Sequence, residues 1–76
     1  MKADTKLDIP YINLGNSFLM QSDTLKCLEY WEKGYQLNPD NISNCGNLAG
    51  LYQLRKDYNK GNFYSGEVNR IRNKQK

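Results

Sequence analysis

No histidine occurs in this 76-residue chain, and cysteine is limited to Cys27 and Cys45. Zinc and catalytic sites need several N, S or O ligands, or a base beside a thiol, so this inventory leaves few options for either. Long apolar runs are missing too. The longest strongly apolar one is Phe18, Leu19 and Met20, far short of the roughly 20 residues a spanning helix requires. No basic start leads into an apolar stretch, so no export leader is visible; the compartment stays open, with the cytosol ahead only weakly. The glycines are scattered rather than gathered into a phosphate-binding loop, and no nucleophile and base pair is present. The chain is expected to be no enzyme, to hold no metal or cofactor, and to stay out of membranes.

Apolar residues make up 38% of the chain, a low fraction that is nonetheless concentrated at regular spacings. That pattern argues for amphipathic elements and against disorder. The formal net charge is +3, much of it from Arg70, Arg72, Lys74 and Lys76 at the C-terminus. Cations there suit the end of a helix through its dipole, which sets nucleic-acid binding aside as a minor expectation. Lys26, Glu29, Glu32 and Lys33 alternate in sign as a solvated helix face does. Cys27 and Cys45 fall on apolar stripes and are expected to be core thiols.

Punctuation divides the chain into four helices. Asp8 is a candidate N-cap, Pro10 suits the first turn, and Leu7 can staple onto Ile12, so a helix is expected from about Ile9 to Gln21. Ser22 and Asp23 interrupt it and cap a second helix with apolar positions Cys27, Leu28, Trp31, Tyr35 and Leu37, stopped by Pro39. Asp40 and Asn41 cap a third, Ile42 to about Arg55, and Asp57 a fourth, about Tyr58 to Asn73. Such short links make consecutive helices antiparallel neighbours. Residues 1–7 read as a frayed tail and 74–76 as a basic one.

A shift of thirty-four residues pairs Asn13 with Asn47, Leu14 with Leu48, Asp23 with Asp57, Lys26 with Lys60, and Tyr30 with Tyr64. Caps, turns and apolar stripes that recur at one period are the mark of a repeated unit. Gly15 and Ala49 are small where the two helices of a hairpin should cross closely, beside Cys27 and Gly61. Phe18 and Trp31 are expected to supply most of the buried area, and losing Trp31 should unfold so small a domain.

In order, Tyr11, Leu14, Gly15, Phe18, Cys27, Trp31, Gly34 and Pro39 fill a spaced pattern of aromatic, x-x-L-G-x-x-Y, A-x-x-x-F and P. The chain thereby resembles the tetratricopeptide repeat family. Residues 8–41 match as a first repeat. Residues 42–73 match as a second through Leu48, Ala49, Tyr52 and Tyr58, while Gly61, Ser65 and Asn73 depart from the pattern and leave its C-terminal half degenerate. The resemblance implies an all-α fold, a short right-handed solenoid of antiparallel helix hairpins with four helices. It also implies a concave groove lined by the first helix of each repeat, which family members use to hold peptides or partner proteins. The groove residues expected on that basis are Ile9, Ile12, Asn13, Asn16 and Met20, with Ser43, Asn47, Gly50, Gln53 and Leu54.

Asn13 and Asn47 share one slot of the repeat, and a carboxamide's paired donor and acceptor suit hydrogen bonding to an extended peptide backbone. Asn16 and Asn47 also match two slots of the carboxylate clamp by which some relatives hold chaperone C-termini. Ile12 stands where that clamp needs lysine, so chaperone-tail recognition is rejected. Gly46 and Gly50 lie one turn apart in the third helix, where each costs stability, so either a close approach by a ligand or helix or the decay of a terminal repeat accounts for them. Phe63, Tyr64, Val68 and Ile71 on the last helix are expected to form an uncovered edge. The leading expectation is a non-enzymatic scaffold whose partner is a protein or peptide held in the groove. The alternatives are a self-associating segment, a homo-oligomer through the last helix or a fragment of a longer array, and an accessory domain of a larger protein.

Overall fold

The computed structural model describes residues 7–74. The expected tails therefore fall mostly outside the described residues. Helix α1 spans Ile9–Met20, α2 Thr24–Leu37, α3 Ile42–Leu54 and α4 Tyr58–Lys74, and no strand occurs among the described residues. The chain divides into two compact units, Met1–Pro39 and Asp40–Lys76. Unit 1 is the hairpin in which α1 packs on α2, and unit 2 the hairpin in which α3 packs on α4.

Both hairpins turn by the same device. In unit 1 the Ser22 amide donates to the Leu19 carbonyl at 2.9 Å and the Asp23 amide to the Phe18 carbonyl at 2.8 Å. In unit 2 the Lys56 amide donates to Gln53 at 3.0 Å and the Asp57 amide to Tyr52 at 2.9 Å. These pairs are Schellman closures, which satisfy the last carbonyls of a helix and need a left-handed residue between them. Ser22 (φ 64°) and Lys56 (φ 65°) fill that place, where glycine would be free of the Cβ penalty. The aspartate that ends one helix begins the next: Asp23 Oδ1 accepts from the Lys26 amide at 3.2 Å and Asp57 Oδ1 from the Lys60 amide at 3.3 Å. One residue thus serves two helix ends, and the link can be three residues long.

The hairpins are also closed alike. Phe18 stacks on Tyr30 at 5.5 Å, and Tyr52 on Tyr64 at 5.9 Å. Lys26 Nζ lies 5.6 Å from the Phe18 ring centroid and Lys60 Nζ 5.4 Å from that of Tyr52, each a cation over a ring face. Every member of these pairs is thirty-four residues from its counterpart.

Close crossing occurs where small residues were expected. A Cβ on Gly15 would stand 3.0 Å from the Cys27 carbonyl oxygen and 2.6 Å from Trp31 Nε1. A Cβ on Gly61 would stand 3.5 Å from the Ala49 carbonyl oxygen and 2.8 Å from Gln53 Cγ. Cys27, Leu28 and Trp31 form the core of unit 1, and Cys45, Leu48, Ala49, Leu51, Tyr52, Tyr64 and Ile71 that of unit 2. Cys27 and Cys45 are free buried thiols, and burial pushes each up to about 11 from 9.0, which keeps them protonated and unreactive near neutrality. Phe18 is only half-buried, so Trp31 rather than Phe18 anchors unit 1.

Asp8 does not cap α1 with its side chain, as its position suggested. Asp8 enters the helix with helical dihedrals (φ −78°, ψ −26°) instead of the non-helical ones a side-chain cap adopts, and no first-turn amide donates to its carboxylate. Asp8 is instead fully buried, its Oδ2 accepting from Asn38 Nδ2 at 3.5 Å, while its backbone carbonyl accepts from the Ile12 amide at 3.0 Å. Asn41 does cap α3, accepting from the Asn44 amide at 3.1 Å. Asp40 instead meets Lys74 Nζ at 2.7 Å and Arg70 Nη1 at 3.1 Å. Arg70 Nη2 also reaches Glu67 at 2.9 Å. The hydrogen bonds from Lys74 and then Arg70 hold the Asp40 carboxyl below its ordinary value.

Candidate functional site: the first helix of each hairpin

Neither α1 nor α3 contains a charged residue, whereas α2 and α4 hold charges of both signs. Helices exposed to water normally carry charge on the outward side, and the centres of binding interfaces are depleted of it. Both first helices nevertheless have an exposed side.

On α1 the residues Ile9, Asn13, Asn16 and Met20 recur at three- and four-residue intervals and share one face. Met20 is 87% exposed and Ile9 45%, with Asn13 also open. Ile12 is half-buried. The Asn16 carboxamide is engaged, since its Oδ1 accepts from Trp31 Nε1 at 3.1 Å, beside a second bond from that indole to the Ile12 carbonyl at 3.3 Å. Asn16, exposed like Asn13, is thus a support for the Trp31 ring.

On α3 the exposed face carries Ser43, Asn47, Gly50 and Leu54, the last 81% exposed, flanked by Gly46 and Gln53. A Cβ added at Gly46 or Gly50 would meet nothing within 4 Å. Both positions leave bare backbone open to solvent. Gln53 differs from its neighbours because its Cγ lies over Gly61 of α4. Asn47 is exposed, as Asn13 is at the same slot of unit 1.

The four residues expected to form an open edge on α4 do not share a surface. Tyr64 is 6% exposed and Ile71 1%, against 51% for Phe63, with Val68 half-buried. Tyr64 and Ile71 are seven residues apart and therefore on one side of α4, the side on which Tyr64 stacks on Tyr52 of α3. Phe63 is turned by about a quarter of the helix circumference and meets Tyr64 edge-on at 4.9 Å.

In unit 1 a shallow cavity is lined by Tyr11, Lys33, Gln36 and Leu37. Tyr11 and Leu14, which fill slots of the repeat pattern, and Leu37, an apolar position of α2, are 36%, 45% and 40% exposed. The absence of charge from residues 9–20 and 42–54 was a signal in the sequence for exposed but dry helix faces, and apolar spacing alone passed over it. Among the described residues no three His, Cys, Asp or Glu side chains gather as metal ligands, and no helix is long and apolar enough to cross a membrane. No protein-family model matches the chain, nor does any curated protein or solved structure.

Proposed function

We propose that this chain is a non-enzymatic interaction module of the tetratricopeptide type, a short right-handed array of two helical hairpins that holds a segment of another polypeptide against its first helices. The observation that carries this reading is the pair of exposed, charge-free faces on α1 and α3, each with an open asparagine at the same slot of the repeat. A face without charge loses little on desolvation, and scattered carboxamides can pair with a peptide backbone that would otherwise be stripped of water. The exposed side chains of Ile9, Met20 and Leu54 supply apolar contact, while Gly46 and Gly50 let a backbone come close.

The segment that fits is uncharged and rich in apolar side chains. Selection from a random-peptide display library on the intact chain tests this. Neutral, apolar-rich sequences are expected to be retained, with at least tenfold weaker binding to the Asn13→Ala/Asn47→Ala chain at unchanged helical circular dichroism. Equal binding by both chains would exclude the paired asparagines, and retention of strongly charged peptides would exclude the neutral groove.

A further inference from the structure

We propose that the outer face of α4 is a binding surface for double-stranded DNA, entered through the major groove. Asn59, Asn62, Gly66, Asn69 and Asn73 follow one another at steps of three, four, three and four, so they form one line along the helix, and all five are exposed. The four carboxamides hold no hydrogen bond among the described residues. Asparagine and glycine are poor helix formers, and a Cβ at Gly66 would meet nothing within 4 Å, so the packing of unit 2 calls for none of the five.

Charge selects the occupant. Unit 2 holds seven basic residues against Asp40, Asp57 and Glu67, whereas unit 1 holds four basic against five acidic ones. On a turn of 3.6 residues, Arg72 borders the asparagine line on one side and Arg70 and Lys74 border it on the other. The helix dipole accounts for cations in a last turn, but not for carboxamides ranked between them. Two rows of phosphate with base edges between them match that layout, because the cations meet phosphate and the paired donor and acceptor of a carboxamide suit N6 and N7 of adenine. An acidic polypeptide would satisfy the cations alone. The major groove admits an α-helix, and α4 offers 17 residues to lie in it. Asp40 marks where an anionic oxygen sits at the edge of this face: its exposed carboxylate takes Lys74 Nζ at 2.7 Å and Arg70 Nη1 at 3.1 Å. Half-buried Glu67 holds the same guanidinium at 2.9 Å and fixes its place.

Fluorescence anisotropy of the full chain with short labelled duplexes tests the proposal. DNA containing A·T pairs is expected to bind in the micromolar range at about 50 mM salt and about fortyfold more weakly at about 200 mM, as three phosphate contacts dictate. It should bind at least tenfold more tightly than an all-G·C duplex. Arg72→Ala/Lys74→Ala should weaken every duplex at least tenfold. Asn62→Ala/Asn69→Ala should instead abolish the preference for A·T pairs, with helical circular dichroism retained because alanine is the better helix former. Asp40→Asn releases Arg70 and Lys74 to the phosphates and should tighten binding several-fold. Absence of binding at millimolar chain in low salt would overturn the proposal, as would binding indifferent to salt or to Arg72→Ala/Lys74→Ala. So would an RNA duplex or single-stranded DNA bound as tightly, a preference for A·T pairs that is missing or survives Asn62→Ala/Asn69→Ala, or weaker binding by Asp40→Asn.

Discussion

Units 1 and 2 share a turn and differ in what fills the space behind it. The Schellman closure, the aspartate cap and the lysine over an aromatic ring recur at equivalent positions in both hairpins. In unit 1, however, the large residue is Trp31 on the second helix, seated over Gly15 of the first. In unit 2 the corresponding residue is Ser65, and the bulk comes from Leu48, Leu51 and Tyr52 on the first helix together with Tyr64 and Ile71 on the second. Unit 1 draws its large buried side chains from its second helix and unit 2 from both helices, while the turn stays constant. The turn chemistry is therefore what defines the hairpin, and the core filling can vary behind it.

Substitutions at matched positions sharpen this contrast. The largest difference is expected at the Trp31 and Ser65 pair. Trp31→Ala should lower stability by about 3 to 5 kcal/mol, enough to unfold much of the chain, whereas Ser65→Ala should stay within about 0.5 kcal/mol. Urea melts of the two variants read the difference. Next come the crossing glycines. Gly15→Ala drives a methyl into the Trp31 ring and the Cys27 carbonyl and should cost about 1 to 3 kcal/mol. Gly61→Ala meets only the Gln53 stem besides an ordinary carbonyl contact, and a gain of up to about 1 kcal/mol in helix propensity should leave it neutral or stabilised.

The turns themselves should respond equally. Ser22→Gly and Lys56→Gly each remove the left-handed penalty and should each raise stability by about 1 kcal/mol. A gain in one hairpin and a loss in the other would break the equivalence of the two turns.

The smallest effect concerns how each hairpin is clasped. Unit 1 joins the start of α1 to the end of α2 through buried Asp8 and Asn38, and unit 2 joins the approach to α3 to the end of α4 through exposed Asp40 with Lys74 and Arg70. Folding lowers the Asp40 value below 3.8, so its contribution is present above pH 3.8 and is lost as the pH falls below 3.8 through the folded value. A small acid loss is expected, reduced by salt and flattened in Asp40→Asn. Thermal melts between pH 5 and pH 2, with and without added salt, check it.

Helix boundaries were readable because each is set by local chemistry. Asp23, Asn41 and Asp57 announce the starts of α2, α3 and α4 through side chains that bond backbone amides nearby in sequence. The crossing at Gly15 and Gly61 was readable for the same reason, since the register places those residues opposite Cys27 and Ala49. Burial on the outer faces was not. Leu14 and Leu48 hold the same slot, yet one is 45% exposed and the other 0%, a difference that depends on tertiary surroundings and leaves no trace in spacing. Asp8 differs because its backbone is already helical and its carboxylate is buried against Asn38, a residue thirty positions away that local spacing does not reveal. On the candidate faces, Asn16 looked equivalent to Asn13 until Trp31 Nε1 was found bonded to it.

The account rests on one hairpin design written twice, and residue-resolved amide hydrogen exchange on the intact chain tests that most directly. The amides of Asp23 and Asp57, which close the two turns at 2.8 Å and 2.9 Å, should both be protected, to within about a factor of ten (about 1.4 kcal/mol) of each other. Protection at one of them with random-coil exchange at the other would show that the two hairpins are not the same unit.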